Sequence, residues 1–325
     1  MNLGEILLRF TEIISKYTEE INQRLLEIYP VGPKSLTEPI HFVLNGKGKR
    51  LRPLLTIVAA EACGGNKDTV MSSALAIEIL HNFTLVHDDI MDRGFIRHGK
   101  KTVHNKWDDG IAILTGDAML SIALELINDS TSDKHTQMTL FIKGLLAVCE
   151  GQAMDKEFEI HKTVTIKDYF RMIDLKTGYI IGLSAQIGAT AANMDNETSQ
   201  CIRDYGRLLG RAFQIQDDYL EIFSESSKMG KSLESDIMFG KKTFLMIQAM
   251  QKDSEFINTA IKIAQEDITK GMKKIRKYMQ MSGIQEITLQ EINNIIALAN
   301  IKLSNLNINK RNLINFSDLI KKRGH

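Results

Sequence analysis

The sequence contains little cysteine, proline or tryptophan, and almost no net charge. Its 325 residues include three cysteines, four prolines and one tryptophan, and 41 basic residues balance 40 acidic ones. A net charge of +1 creates no global field that would attract nucleic acid. Cys63, Cys149 and Cys201 match no zinc-binding spacing, and such a sparse, odd set predicts free thiols in a reducing cytoplasm. Charged residues in the apolar pattern of the N-terminus argue against a signal peptide.

The distribution of proline indicates an all-α fold. All four prolines fall within the first 53 residues. The absence of proline from Leu54 onward is expected of helix interiors, where proline costs roughly 3 kcal/mol. Apolar residues recur at spacings of three and four. Neither sustained alternation nor an Asn-Gly or Asp-Gly pair flanked by alternating apolar residues indicates strands. We therefore predict one all-α domain over residues 1–325, with about ten to thirteen helices.

Two features interrupt or extend this helical pattern. The longest uncharged stretch, residues 177–194, holds polar residues and glycines, and it favours a buried helix over a membrane span. Four segments are predicted to be irregular: residues 29–39, 45–53, 93–106 and 224–242. Three of them are basic, and each of the last two follows an acidic cluster, so we expect the chemistry there.

The two acidic clusters carry the strongest chemical signal. The first consists of Asp88, Asp89 and Asp92, and the second of Asp217, Asp218 and Glu221. In each, the outer two carboxylates are four residues apart and share one face of a helix, where like charges repel. One such cluster could equally be a solvated helix end, but two matched sets favour bound cations. Oxygen ligands without histidine or cysteine suit Mg²⁺ together with the phosphates of a substrate.

These clusters and their surroundings resemble the trans-isoprenyl diphosphate synthases, or polyprenyl synthetases, and in particular the short-chain geranylgeranyl and farnesyl diphosphate synthases. The resemblance runs from about Gly46 to Thr243, and the flanks match weakly. The matching segments, in the family's order and spacing, are GKGKRLRP, HNFTLVHDDIMD, RHGKKTVH, LTGDAML, EGQAMD, KTGYIIGLSAQIGA, FQIQDDYLE and GKSLESDIMFGKKT.

The resemblance implies an isoprenoid-synthase-type helical bundle around a deep central cavity, usually as a homodimer. It implies head-to-tail addition of isopentenyl diphosphate to an allylic diphosphate (dimethylallyl, geranyl or farnesyl), with release of pyrophosphate. Three Mg²⁺ ions and basic side chains would draw off the allylic diphosphate, and the isopentenyl double bond would attack the carbocation. The departing pyrophosphate usually takes the proton. The expected partners are these diphosphates and a second copy of the chain, without nucleic acid or stable membrane insertion.

Roles for individual residues also follow from the resemblance. Both acidic clusters would bind magnesium, with Asp89 in support and Asp218 and Glu221 close to the third ion. The isopentenyl set, which would bind isopentenyl diphosphate, is Lys49, Arg52, His81 and His98. The allylic set, which would bind the allylic diphosphate, is Arg97, Lys176, Thr177, Gln214, Lys231 and Lys241. The catalytic residues would be Asp88, Asp92, Asp217, Lys176 and Lys231.

Product length is expected to depend on the helix before the first cluster. Phe83 lies five residues before Asp88, about 7.5 Å along a helix. A bulky ring there would form the floor that stops elongation, next to the smaller Thr84. This combination resembles archaeal-like geranylgeranyl enzymes, with farnesyl diphosphate as the shorter alternative. Phe83 could instead be an ordinary core residue.

The sequence departs from the family pattern at three places. His98 stands where the family usually has a second arginine, and its charge depends on pH. Glu221 stands where many relatives have aspartate, and the loop GKSLESD lacks a proline and a glycine. Lone polar residues such as His81, Thr177 and Gln214 could also be satisfied core groups.

Other functions fit the sequence less well. A class I terpene cyclase typically has an Asn/Ser/Glu second metal motif and lacks the isopentenyl set. A regulatory prenyltransferase subunit generally loses one acidic cluster. A basic run near the C-terminus could face an anionic membrane, although a solvated helix face explains it better. That run consists of Lys273, Lys274, Arg276 and Lys277.

Overall fold

Helix dominates the computed structural model, which describes residues 3–46, 48–161, 163–223 and 241–322. The α-helices are α1 (Leu3–Leu26), α2 (Lys34–Leu44), α3 (Leu51–Ala62), α4 (Lys67–Met91), α5 (Val103–Lys106), α6 (Asp109–Asn128), α7 (Lys134–Ile160), α8 (Ile166–Ile173), α9 (Tyr179–Ala191), α10 (Asn196–Phe223), α11 (Phe244–Lys252), α12 (Ser254–Glu266), α13 (Ile268–Met281), α14 (Ile284–Leu303) and α15 (Arg311–Lys321). One π-helical turn, Asp174–Gly178, joins α8 to α9. The all-α prediction is confirmed.

The described residues form more helices than the periodicity predicts, because single polar residues divide the C-terminal helices. Asp253 separates α11 from α12, and its carboxylate accepts a hydrogen bond from the backbone N–H of Phe256. Asp267 separates α12 from α13 and accepts from the N–H of Lys270. Such N-caps satisfy amide groups that the first turn of a helix leaves without partners, so a new helix starts at once.

A short hairpin interrupts the helices within the segment predicted to be irregular. Strands β1 (Ile96–Arg97) and β2 (Lys100–Lys101) pair antiparallel. The two turn residues, His98 and Gly99, have φ values of 49° and 76°. Two positive φ values define the turn whose twist suits a hairpin. The Asn-Gly and Asp-Gly patterns do not predict this hairpin, because histidine occupies the first position of its turn.

The proline-bearing segment 29–39 is only partly irregular, which corrects the prediction. Helix α2 begins at Lys34 and includes the buried Pro39. Pro39 has no N–H to donate to the carbonyl of Ser35, so this helix tolerates one missing hydrogen bond. Similarly, α3 begins at Leu51, inside the predicted loop 45–53, and Pro53 occupies its first turn.

The main hydrophobic core surrounds α9. Every residue of α9 from Ile180 to Ala191 is buried, which confirms the prediction of a buried helix there. The helix approaches α3 so closely that a Cβ atom at Gly188 would lie 2.3 Å from the carbonyl oxygen of Thr56. A second, smaller core lies among α11, α12 and α13, and Tyr219 of α10 packs against both cores.

Two described helices are long and apolar enough to cross a membrane, judged by length and composition alone. In α4, 72% of the apolar window is buried inside the protein, as expected of a core helix. In α6 only 33% of the window is buried, so much of its apolar surface remains exposed.

Candidate active site

The first acidic cluster lies at the C-terminal end of α4. Asp88 and Asp89 are in its last turn, and Asp92 is the residue that follows it. The helix dipole places partial negative charge at this end, so three carboxylates here are unfavourable without cations. Burial raises the pKa of Asp88; the nearby Lys176 opposes this shift, whereas Asp92 and Asp155 add to it. Burial, more than the charges of its neighbours, therefore opposes ionisation of Asp88.

Asp89 is bound to the hairpin. The Nε of Arg97 donates to Oδ1 and Oδ2 of Asp89 at 2.9 and 3.0 Å, and Nη2 lies 2.9 Å from Oδ1. Asp89 is buried, and the ion pair raises the pKa of Arg97. Asp89 thus fixes Arg97 of β1 beside the end of α4, and its supporting role in magnesium binding stays a prediction.

Helix α7 contributes two residues to which the sequence analysis gave no role. Nζ of Lys156 lies 3.3 Å from Oδ1 of Asp92, and Nζ of Lys176 donates to Oδ2 of Asp155 at 2.6 Å. Asp155 is the last residue of the segment EGQAMD, which carries part of the family resemblance, and Lys156 follows it directly. The two lysines supply positive charge to the acidic group.

The π-helical turn carries Lys176 and Thr177 of the allylic set. Asp174, its first residue, is buried and accepts hydrogen bonds from Nη2 of Arg207 and, at 3.0 Å, from Nε of Arg211. These two arginines of α10 keep the pKa of Asp174 below its usual value despite burial. A π turn costs regular hydrogen bonding and occurs frequently at functional sites. Here an ion-paired carboxylate holds it in place.

The second acidic cluster lies near the C-terminal end of α10, and its middle residue faces the protein interior. Oδ2 of Asp218 accepts from the hydroxyl of Tyr169 at 2.6 Å and from the N–H of Phe244 at 3.4 Å. Oδ1 accepts from Nε2 of Gln214 at 3.0 Å, and Oε1 of Gln214 accepts from the hydroxyl of Thr177 at 2.9 Å. Burial raises the pKa of Asp218 to about 6. Asp218 thus connects α10 to α8 and, through Gln214, to the π turn.

The remaining members of the second cluster, Asp217 and Glu221, are both half-buried. They lie on the same helix at the spacing that the sequence predicts, four residues apart. Their role as magnesium ligands, and that of Asp218, stays a prediction.

Three members of the isopentenyl set lie near one another. His81 is two turns before Asp88 on α4, and burial with the charges of Arg52, Arg97 and His98 lowers its pKa well below 6.5. Its imidazole is therefore neutral at pH 7. His98 is at the exposed hairpin tip, where partial burial and Arg97 lower its pKa. Three chain segments distant in sequence thus meet at this point.

Lys49 of the isopentenyl set and Lys241 of the allylic set each lie a few residues before a helix. Lys49 is exposed and lies two residues before the start of α3. Lys241 is half-buried and precedes α11. Lys231 and the loop GKSLESD lie outside the described residues.

The donors at the first cluster fit a hard divalent cation. Among the residues that the structure describes, no three histidine, cysteine, aspartate or glutamate side chains converge as a ready metal site. Asp88, however, lies within electrostatic range of Asp92 and Asp155, and burial with these like charges raises its pKa. Only carboxylate oxygens are offered, which suits Mg²⁺ with substrate phosphates.

Phe83 lies in the main core close to the first cluster. Its side chain is buried, and its ring makes an edge contact with that of His87, with centroids 4.8 Å apart. His87 in turn packs against α6, where a Cβ atom at Gly116 would lie 2.2 Å from its Nε2. The hydroxyl of Thr84 donates to the carbonyl of His81 at 2.7 Å. This geometry is compatible with either a floor or a core role for Phe83.

Comparison with known proteins identifies the family. Residues 33–281 match the sequence model of the polyprenyl synthetases. The chain is 37% identical over 251 residues to a geranylgeranyl diphosphate synthase of Methanosarcina mazei, covering 76% of this chain and 78% of that protein. It is 33% identical over 320 residues to a geranylgeranyl pyrophosphate synthase of Geoglobus acetivorans, covering 97% and 99%.

A solved structure gives the same answer for the fold. The geranylgeranyl pyrophosphate synthetase of Pyrococcus horikoshii Ot3 superposes with a TM-score of 0.88 at 34% identity, over 98% of this chain and 99% of that one. The predicted isoprenoid-synthase fold and the predicted class of enzyme, a prenyl-elongating transferase, are confirmed. The chain belongs to the polyprenyl synthetase family.

Proposed function

We propose that the protein condenses isopentenyl diphosphate head-to-tail with allylic diphosphates and releases pyrophosphate. The observation that carries this proposal is the position of Arg97. It is bound to the first acidic cluster through Asp89, and its charge also acts on His81 of the isopentenyl set. Sites for the two diphosphates would therefore be adjacent, as a condensation between them requires.

Each group of residues would have a distinct part in the reaction. Lys176 and Arg97 would hold the allylic diphosphate as its bond to carbon breaks, while Thr177 and Gln214 orient it. Lys49, Arg52 and the neutral His81 would hold isopentenyl diphosphate with its double bond towards the allylic carbon. The proton lost after addition would pass to the departing pyrophosphate.

Magnesium fits this scheme. Asp88, Asp92 and Asp217 would hold the metal, with three ions per site as the family resemblance implies. Bound magnesium neutralises charge that develops on the leaving diphosphate. Lys156 and Lys176, which contact Asp92 and Asp155, would then shift towards substrate phosphate oxygens.

Geranylgeranyl diphosphate is the proposed product, with farnesyl diphosphate as the shorter alternative. The relatives from Methanosarcina mazei and Geoglobus acetivorans are geranylgeranyl diphosphate synthases, which supports the longer product. Phe83, buried one to two turns before Asp88, would end the space available to the growing chain.

A homodimer is also proposed, formed through α6 and α7. Large apolar side chains of these adjacent helices are exposed: Ile113 at 47%, Leu114 at 57%, Ile142 at 53% and Leu146 at 59%. Apolar patches of this kind usually mark interfaces. Sedimentation should show a dimer, and Leu114→Glu with Leu146→Glu should shift it to monomer; a monomeric wild type would contradict this arrangement.

We further infer that residues 1–325 form a single domain, because Tyr219 of α10 packs against both hydrophobic cores. A cytoplasmic location rests on the cysteine pattern and stays a prediction.

The function is tested by product analysis. Purified protein is incubated with labelled isopentenyl diphosphate, Mg²⁺ and, in turn, dimethylallyl, geranyl and farnesyl diphosphate, and the products are separated by chain length. We expect elongated prenyl diphosphates, no product when magnesium is chelated, and pyrophosphate release only when both substrates are present. Pyrophosphate release from a long allylic diphosphate alone would indicate a terpene cyclase, and no turnover would indicate a regulatory subunit.

A further inference from the structure

Arg50, the residue before α3, connects three parts of the chain: α1, the end of α2 and α4. Its side chain is buried, and Nη1 lies 2.7 Å from Oε1 of Glu78 on α4. Its Nε donates to Oδ1 of Asn22 on α1 at 2.9 Å, and its Nη2 donates to the carbonyls of Leu44 and Gly46, both at 2.8 Å. The guanidinium is therefore engaged by four protein acceptors and is not directed at a ligand.

The backbone of Arg50 is held in an unusual conformation. Its φ is 48°, in the left-handed region that only glycine adopts readily. Such strain persists only where the surrounding contacts impose it, and here the four hydrogen bonds do so. Arg50 lies directly between Lys49 and the start of α3, which carries Arg52. Its backbone direction therefore sets where both residues of the isopentenyl set are presented.

Glu78 extends the same contact to the third residue of the set. It is buried on α4, one turn before His81. Asn82, next to His81, donates from Nδ2 to the carbonyl of Glu78 at 2.7 Å and to its Oε1 at 3.3 Å. The pair thus links the loop before α3 to the part of α4 that presents His81.

We propose that the Arg50–Glu78 pair is a positioning device that fixes Lys49, Arg52 and His81 in the geometry that binds isopentenyl diphosphate. The planar, five-donor guanidinium fixes direction in a way that a lysine or an apolar contact would not. This inference rests on the proposed function, since it assigns a role within the isopentenyl site. It predicts a selective effect: loss of the pair weakens the use of isopentenyl diphosphate and spares the allylic diphosphate.

The test is the double variant Arg50→Met with Glu78→Leu, which removes both charges together and so leaves no unpaired buried charge. We expect KM for isopentenyl diphosphate to rise roughly tenfold or more, the effect of a lost charged hydrogen bond to a diphosphate. KM for the allylic diphosphate should stay within about twofold of the wild-type value, a much smaller change than the loss of one charged hydrogen bond would cause. Glu20→Gln is the matched control, because it breaks the 2.8 Å ion pair between Lys67 of α4 and Glu20 of α1, two helices that the side chain of Arg50 also contacts. It should change neither constant.

Equal rises in both Michaelis constants, or no rise in either, would overturn the inference. Should the double variant not fold, Asn22→Ala carries the test, because Asn22 is exposed and supplies one of the four acceptors. It should raise KM for isopentenyl diphosphate by about threefold, and an unchanged constant would refute the role. A wild type without prenyl transfer would overturn the proposed function and this inference together. An active wild type whose variants keep the wild-type constant would overturn the inference alone.

Discussion

Replacing Asp174 by asparagine should weaken both the fold and the use of the allylic diphosphate. Asp174 begins the π-helical turn and is the common acceptor for Arg207 and Arg211. Asparagine keeps the shape but removes the charge, so the two arginines lose their partner and the turn loses its connection to α10. Since Lys176 and Thr177 lie on this turn, their positions should relax as well.

The magnitude follows from the exposure of the partners. Hydrogen bonds to charged groups contribute about 1.5–3 kcal/mol each, and breaking a buried pair costs about 3–5 kcal/mol. The side chains of Arg207 and Arg211 are 28% and 34% exposed, so water partly replaces the lost carboxylate. We expect Asp174→Asn to lower the free energy of unfolding by about 2–3 kcal/mol.

Urea unfolding measures this change, and steady-state kinetics should show a raised KM for the allylic diphosphate. Asp204→Asn is the matched control, because Asp204 pairs with Arg203 on the surface of the same helix. It should change stability by less than about 0.5 kcal/mol. A loss below about 1 kcal/mol for Asp174→Asn would refute the reasoning.

The pH dependence of this effect has a defined sign. The arginines lower the pKa of Asp174 from 3.8, so its contribution is complete above that value and is lost as pH falls through the lower folded pKa. The stability difference between wild type and Asp174→Asn should therefore shrink in acid. A difference that grows as pH falls would contradict the assignment.

Three further predictions concern the site. Asp88→Asn should lower turnover by about a thousandfold with the fold intact, because the metal that stabilises the leaving diphosphate loses a ligand. Substitution of the exposed Asp117 by asparagine is the control. Near-wild-type turnover of the Asp88→Asn variant would remove the metal assignment. His98→Arg should lower KM for isopentenyl diphosphate near neutral pH and less so in acid, where histidine itself becomes charged. The control is His98→Asn, since asparagine also tolerates the positive φ, and it should not lower KM. An unchanged KM for the arginine variant would mean that His98 does not contact isopentenyl diphosphate. Phe83→Ala should lengthen the product if Phe83 is the floor, and the milder Phe83→Leu should do so less; a folded alanine variant with an unchanged product would refute the floor.

The sequence determined the class of fold and the family because both depend on local patterns. Helical periodicity and the absence of proline after Pro53 are properties of neighbouring residues, so they indicate helices without knowledge of their packing. The spacing of Asp88 and Asp92 likewise places them on one helix face. Local patterns failed where a single residue decides the outcome, as at the Asp253 cap and the His98 turn, and where helix α2 includes a proline.

Tertiary structure alone decided which charges meet. Arg97 binds Asp89 rather than solvent, Lys156 of α7 reaches Asp92 of α4, and Asp218 turns inward. Periodicity tells which face of a helix is buried, but not which helix it faces or at what height along the axis. The ion pairs that hold Lys176 and the isopentenyl set therefore have no signature in the sequence, because each joins residues that only the packing of helices brings together.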